Sequence, residues 1–329
     1  MIHSLGRSIL LGLPIAGALL TSPGALAQSF PDRTVTIVVT SAAGALTDVL
    51  TRAISQRLSQ KWGQSIVVEN RGGAGHNFAA LAVMNAKHDG HTLLASETGF
   101  VTITPHLYVK GKLPYDPETD FIPVAGYASI PMALLANPSV PAKSISELIT
   151  LAKQTPGTMT YGTAGVGTAL HTAALLLESL AGIKLTAVHY RGAAPALNDL
   201  IAGHINTVIM GPSVALTTVK AGKLNMLGFG SVKRLPEFAD VPTIAETVPG
   251  YEANVSFGLF APTDTPPEAV KKINADVQQI ISDPQFHKQF LEPYVVQPLP
   301  GPLDALADRL RKDSAKWAKV IKAANLKIE

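Results

Sequence analysis

The chain contains no cysteine in its 329 residues. That excludes disulfides, a cysteine nucleophile and thiolate metal sites, so the fold must rest on packing alone. Aromatic residues are few, at 6%, and only 16% of positions are Asp, Glu, Lys or Arg. The formal net charge is +3 with the charges scattered, which argues against nucleic acid or an acidic surface as partner. Prolines and glycines are frequent but dispersed, the pattern of an α/β protein with many tight turns and no low-complexity linker. No segment is long and apolar enough for a membrane span; the run Ile9–Leu20 falls short of the roughly 20 residues required.

What that run does carry is an export signal. It follows Arg7 and ends at Ala25-Leu26-Ala27, a small-x-small cleavage pattern, so a signal peptide is expected over Met1–Ala27. Its removal after Ala27 takes Arg7 with it and lowers the formal charge from +3 to +2. The remaining chain of about 300 residues is long enough for two domains, each with its own core.

The chain is organised around Met159–Leu177. A β-prone run at Met159-Thr160-Tyr161 enters the small-residue loop Gly162–Gly167, and an apolar helix follows with Thr168 placed as its cap. A strand, a glycine loop and a helix N-terminus put unpaired N–H groups and a positive dipole end where no side chain obstructs, which suits an anion. The stretch Val35–Thr40 repeats the design, running into Ser41-Ala42-Ala43-Gly44-Ala45-Leu46 ahead of a helix from Thr47. Two such loops, far apart in sequence, suggest two lobes closing on one small anion.

Periodicity and punctuation place strands at 35–40, 65–69, 91–96, 121–128, 187–190, 205–210, 224–230 and 256–261. Helices are expected at 47–62, 77–86, 146–154, 195–202, 213–221, 267–282 and 303–324, with Ser213 capping the fifth. Repeated βα units predict doubly wound, mostly parallel sheets with ligands at the carboxyl ends of strands. Crossings near 124–128 and 256–259 would divide the chain into one lobe of residues 28–125 plus 256–329 and another of 126–255.

Several longer motifs carry a family resemblance. They are Val67-Val68-Glu69-Asn70-Arg71-Gly72-Gly73-Ala74-Gly75, Leu113-Pro114-Tyr115-Asp116-Pro117 and Tyr161–Thr168. Tyr190-Arg191-Gly192-Ala193-Ala194-Pro195-Ala196-Leu197, Asp240-Val241-Pro242-Thr243 and Phe257-Gly258-Leu259-Phe260-Ala261-Pro262 complete the set. Together they make the chain resemble the substrate-binding proteins of tripartite tricarboxylate transporters, the Bug family of periplasmic receptors. The resemblance implies a two-lobed periplasmic binding protein of Venus-flytrap, type II-like form, without cofactor, working as a monomer. It also implies a small organic carboxylate as ligand and the two membrane subunits of a permease as partner, the alternative being a ligand-sensing protein that reports to a membrane sensor by the same closure. By position, the family's carboxylate-holding loops fall on Ser41, Ala43, Gly44, Ala45, Leu46 and Thr47, and on Thr163, Ala164, Gly165, Gly167 and Thr168. The first loop departs from the family's proline-rich, double-glycine form, which leaves its amides in place but alters the wall, with Leu46 as an apolar contact.

Other residues admit two readings. Ser96 and Thr98 end a strand on the cleft side as hydroxyl donors, while Glu97 between them either turns away or selects ligands with a positive or hydroxyl group. His171 either lines the pocket or packs as a neutral core histidine. Arg191 is a bidentate partner for a distal carboxylate or a solvated loop residue. Phe257 stacks on a ligand ring or fills the hinge core. Asp48, which would repel an anion, is read as a cap, and Arg71 as a brace for its glycine turn. His88 and His91 share H-x-x-H spacing but sit on a polar turn without further ligands, so no metal is expected. Gly211-Pro212-Ser213-Val214-Ala215 is one residue off a nucleophile elbow, yet only His287 follows it, so no enzyme is expected either. No Walker loop is present, and the central loop lacks the third glycine of a dinucleotide fingerprint. The low charge of the inferred wall favours a dicarboxylate or aromatic acid over citrate. The absence of an acid in Ile209-Met210-Gly211 disfavours amino acids.

Overall fold

The computed structural model describes residue 1 and residues 30–73, 76–109 and 111–328. The expected signal peptide and its cleavage site lie outside the described residues. From the N-terminal side the chain forms β1 (Val35–Val39), α1 (Leu46–Trp62), β2 (Ile66–Asn70), α2 (Asn77–Met84) and β3 (Thr92–Glu97). Two single helical turns, α3 (Gly99–Thr102) and α4 (Thr104–Leu107), lead to β4 (Phe121–Pro131) and β5 (Ala133–Ala136). Then come α5 (Ile145–Gln154), β6 (Thr160–Thr163), α6 (Ala169–Ala181), β7 (Thr186–His189), α7 (Ala193–Ala202) and β8 (Thr207–Met210). The remainder is α8 (Leu216–Lys220), β9 (Asn225–Phe229), β10 (Asn254–Pro262), α9 (Pro267–Ile281), α10 (Pro284–Phe286), β11 (Gln297–Pro298) and α11 (Leu303–Ala323).

Two sheets result, in the orders β11-β4-β10-β3-β1-β2 and β7-β6-β8-β5-β9, and helices flank both. The fold is two-lobed α/β. The β1–β2, β1–β3, β6–β7 and β6–β8 pairs are parallel, as the βα repeats predict. Both sheets are nevertheless mixed, because β10 runs antiparallel to β3 and β4, and β5 antiparallel to β8 and β9. The reason is geometric. β5 and β10 are the strands that arrive from the other sheet, so each enters its own sheet at the end where its neighbours leave. Ala133, the first residue of β5, accordingly pairs with Met210 and Phe229, the last residues of β8 and β9. This places the carboxyl ends of β1, β3, β6 and β8 at the junction between the sheets.

Two local expectations need correction. The apolar tetrapeptide of β5 was not anticipated as a strand, since a run that short has no period to read. The helix expected over 213–221 is a 3-10 turn, Pro212–Val214, followed by α8, and Ser213 does not cap it. Pro212 starts the chain in a tight turn, and the short apolar run after it does not sustain three full turns.

Each sheet is packed on both faces. One core of the first sheet gathers Val35, Ile37, Val39, Leu50, Leu93, Tyr127, Phe257 and Ile273. α11 serves both lobes. Leu306 and Leu310 join the first lobe's other core, whereas Trp317, Val320 and Ile321 pack with Leu134, Leu177 and Ile209 of the second. Among the described residues no helix is long and apolar enough to cross a membrane.

Trp317 is 6% exposed in that shared core. Trp317→Ala is therefore expected to lower the unfolding free energy by about 3–5 kcal/mol in a denaturant titration. Leu180→Ala, at a side chain 44% exposed, should stay within about 0.5 kcal/mol of the parent.

Candidate ligand-binding cleft

Both small-residue loops end up at the junction, and both are built the same way. In the first, the amide of Gly44 donates to Asp48 Oδ2 at 2.9 Å. In the second, the amide of Gly167 donates to His171 Nδ1 at 3.0 Å. Ala45 and Thr168 are the N-caps of α1 and α6, so each acceptor is the third residue of its helix and each donor the residue before the cap. A capping box reaches back in a similar sense, to the cap residue itself. Here the side chain braces the loop one residue earlier.

The consequence is that no side chain caps either helix. Ala45 has no acceptor to offer. Thr168, expected as a side-chain cap, instead donates its hydroxyl to the carbonyl of Gly165 at 2.8 Å. The first-turn amides of both helices are left without a side-chain acceptor, with the positive dipole ends behind them. The glycine amides themselves are spoken for: that of Gly165 donates to Thr163 Oγ1 at 3.1 Å. The amides left over are thus those of the helix starts rather than those of the glycines.

The two loops are not electrostatically equal. Asp48 is 3% exposed, and Arg52 Nε and Asn70 Nδ2 both donate to its Oδ1 at 2.9 Å. Burial pushes its pKa up, but the bonds from Gly44, Asn70 and Arg52 outweigh that and hold it below the usual carboxylate value. It is an ionised carboxylate already seated at the start of α1. His171 is 3% exposed and must leave Nδ1 unprotonated to accept from Gly167. Burial, with the neighbouring His189, holds its pKa down at about 4, so the start of α6 carries no compensating charge. The start of α6 is therefore the more positive of the two.

Gly167 is required by its surroundings. Its φ is +75°, and a Cβ there would lie 2.4 Å from Leu107 Cδ1. That contact is also where the second loop meets α4 of the first half of the chain.

Beside it lies a cavity of about 250 Å³, lined by Gly167, Thr168 and Ala169 on one side and by Glu97, Thr98, Gly99 and Thr102 on the other. Asn254, Val255, His76, Asp313 and Trp317 are also in its wall. Of the residues expected to bind ligand, it gathers Thr98, Gly167 and Thr168. Ser41, Ala43, Gly44, Ala45, Leu46 and Thr47 do not line it. They stand one strand away, at the end of β1, where Thr40 Oγ1 donates to Ser96 Oγ at 3.1 Å. Ser41 Oγ is buried without a partner among the described residues.

The other expected residues support the site from behind. Ser96 is buried against Thr40, and Thr163 is buried with its hydroxyl 2.8 Å from His189 Nδ1. His171 braces the loop as described. Ala164 and Gly165 are half-buried in the loop wall. Phe257 is 2% exposed, and its ring stacks on Tyr127 at 6.3 Å within the core of the first sheet. Arg191 is exposed. His88 and His91 pair with Asp264 and Asp89 respectively. The sequence reading missed His76, Asn254 and Trp317. His76 has φ +79°, and the left-handed conformation of a non-glycine residue has no signature in sequence.

A larger hollow of about 460 Å³ lies under α11, lined by Leu299, Gly301, Arg309 and Lys312 among others. Neither loop touches it.

This architecture, two α/β lobes with a small-residue loop of each at their junction, is that of a solute-binding receptor. The chain belongs to the tripartite tricarboxylate transporter receptor family, TctC, the family of the Bug periplasmic solute receptors, whose model matches residues 50–326. A UPF0065 protein of Pseudomonas sp. (strain P51) is 32% identical over 317 residues, covering 96% of this chain and 93% of the relative. A Rhodopseudomonas palustris protein solved with adipate is 34% identical, with TM-score 0.78 over 91% of this chain and all of the other. MatC of the same organism, solved with bound malate, is 33% identical, with TM-score 0.72 over 89% of this chain and 100% of MatC.

Two outcomes test the braces. Gly167→Ala should destabilise by about 1–3 kcal/mol in urea titrations, from the left-handed backbone and the Leu107 contact. For His171 the folded state resists protonation between the ordinary value of 6.5 and about 4. As pH falls through that window the unfolded chain takes up a proton that the folded chain refuses, so stability is full above 6.5 and declines towards 4. His76, also held at about 4 by burial, adds to the same slope. Melting temperature against pH should therefore fall over this window, and His171→Asn should flatten the fall.

Proposed function

We propose that the protein is an exported receptor that captures a small organic carboxylate in the cleft, without turnover, and delivers it to a tripartite tricarboxylate-type permease. The observation that carries this reading is the pair of helix starts, α1 and α6, left without side-chain caps at one junction. A carboxylate accepting from the first-turn amides of α6 gains charge-assisted hydrogen bonds, each worth about 1.5–3 kcal/mol. The solved relatives with adipate and malate support the choice of carboxylate.

The lobes follow the two sheets, so the hinge lies at the strand ends near Pro131–Ala133 and Ala253, a few residues from the expected divisions at 125/126 and 255/256. Met132 and Ala253 are bonded there, with the amide of Met132 donating to the carbonyl of Ala253 at 3.1 Å. Closure brings the first loop, with Ser41 Oγ and the α1 amides, onto a ligand already held by the second. The signal peptide is removed on export by cleavage after Ala27, and the receptor acts as a monomer in the periplasm.

A thermal-shift series with adipate, malate, benzoate and citrate tests the proposal. A ligand that binds the native form at a hundredfold excess over its Kd stabilises by about 2.7 kcal/mol and raises the melting temperature accordingly. No shift with any acid, or consumption of the acid on incubation, would contradict it.

A further inference from the structure

We infer that Glu97 is a specificity-determining residue of the cleft, selecting a carboxylate that also carries a hydrogen-bond donor, either a hydroxyl or a protonated amine. The inference rests on the carboxylate-receptor reading above and names the substrate class of that same site.

β3 alternates, so Leu93, Ala95 and Glu97 share a face. Leu93 and Ala95 are fully buried in the first lobe's core, and Glu97 continues that face at the strand's end, opposite Phe257 in the register. Its carboxylate makes no hydrogen bond and no ion pair with any described residue, yet Glu97 lines the same cavity as Gly167 and Thr168. The groups around it offer no counter-charge. Among the described residues, His76 is the one basic residue in the cavity wall, and burial keeps it neutral at ordinary pH. Asp313 is also in the wall but is engaged by Lys316 Nζ at 2.8 Å. The hydroxyl of Tyr127, on the core side, lies 3.3 Å from Thr51 Oγ1. Burial alone raises the pKa of Glu97.

Glu97 is half-buried at the cavity edge, and a carboxyl group partly withdrawn from water without a protein partner gains from any group that donates to it. A ligand anchored by one carboxylate at α6 and presenting a second towards Glu97 would set like charges together. A hydroxyl or ammonium group at that place satisfies Glu97 instead. A site built to pair with a donor discriminates strongly against the analogue that lacks it. The low charge of the inferred wall favoured a dicarboxylate or aromatic acid; the unpaired Glu97 in the cavity narrows that to acids that also carry a donor.

Calorimetric titration of the mature protein and of Glu97→Gln against matched acids is the test. The four-carbon series is succinate, malate and aspartate; the six-carbon series is adipate, 2-hydroxyadipate and 2-aminoadipate. In one series, the parent should bind the hydroxy or amino acid at least about tenfold tighter than the plain diacid. Malate against aspartate, or their six-carbon counterparts, separates hydroxyl from amine. Glu97→Gln, which keeps the shape and removes the charge, should bring that ratio within about threefold, largely by tightening the plain diacid. A parent that binds the plain diacid equally well, or a ratio unchanged in Glu97→Gln at unaltered melting temperature, overturns the role of Glu97 alone. If no acid of either length binds the parent but benzoate or citrate does, the role of Glu97 is overturned while the carboxylate-receptor reading stands; if none of these acids binds, both fail.

Discussion

The cleft depends on one recurring interaction: a side chain on the third residue of a helix accepts the amide of the residue just before the cap. Asp48 does this for Gly44, and His171 for Gly167. The bond fixes a loop that glycine and alanine would otherwise leave loose, and it does so without occupying the helix start. A side-chain cap would satisfy the first-turn amides internally. Bracing from behind keeps them available and already aimed, so little ordering remains to be done when a ligand arrives.

The use of different acceptors makes the two loops complementary rather than equivalent. An ionised Asp48 offsets the dipole of α1, while a neutral His171 leaves that of α6 intact. Capture at α6 followed by closure of the first loop fits this asymmetry. The crossing strands enforce the geometry: because β5 and β10 enter their sheets against the local direction, the strand ends that carry the loops must face one another. α11 adds a tie, its first half in one lobe's core and its second half in the other's.

Much of the fold was legible because its signals are local. The β-branched run at Val35–Val39, Gly63 after α1, and Ser144 ahead of α5, whose hydroxyl accepts the amide of Glu147, mark elements whatever surrounds them. β5 was not legible, since Ala133–Ala136 is too short to show a period, and Pro131 and Asn137-Pro138 around it mark breaks without naming the element between them. The cleft was half legible. Loop positions follow from glycine and from the carboxyl ends of strands, and the family resemblance agrees with them. Which amides are free does not, because it depends on where Asp48, Thr163, Thr168 and His171 point. The setting of Glu97 is of the same kind: alternation along β3 gives the face, but only the packed structure puts that face beside the cavity. Phe257 is packed against Tyr127, a residue 130 positions earlier in the chain, a contact that no local signal could give.

The most direct test of the account is a crystal structure of the mature protein with its tightest-binding acid. The account predicts one ligand carboxylate within hydrogen-bond distance of the amides of Ala169 and Leu170, with Gly167 still bonded to His171 and the first loop closed over the other side. A carboxylate bound instead at Arg191, or in the hollow beneath α11, with the α6 amides facing only water, would contradict it.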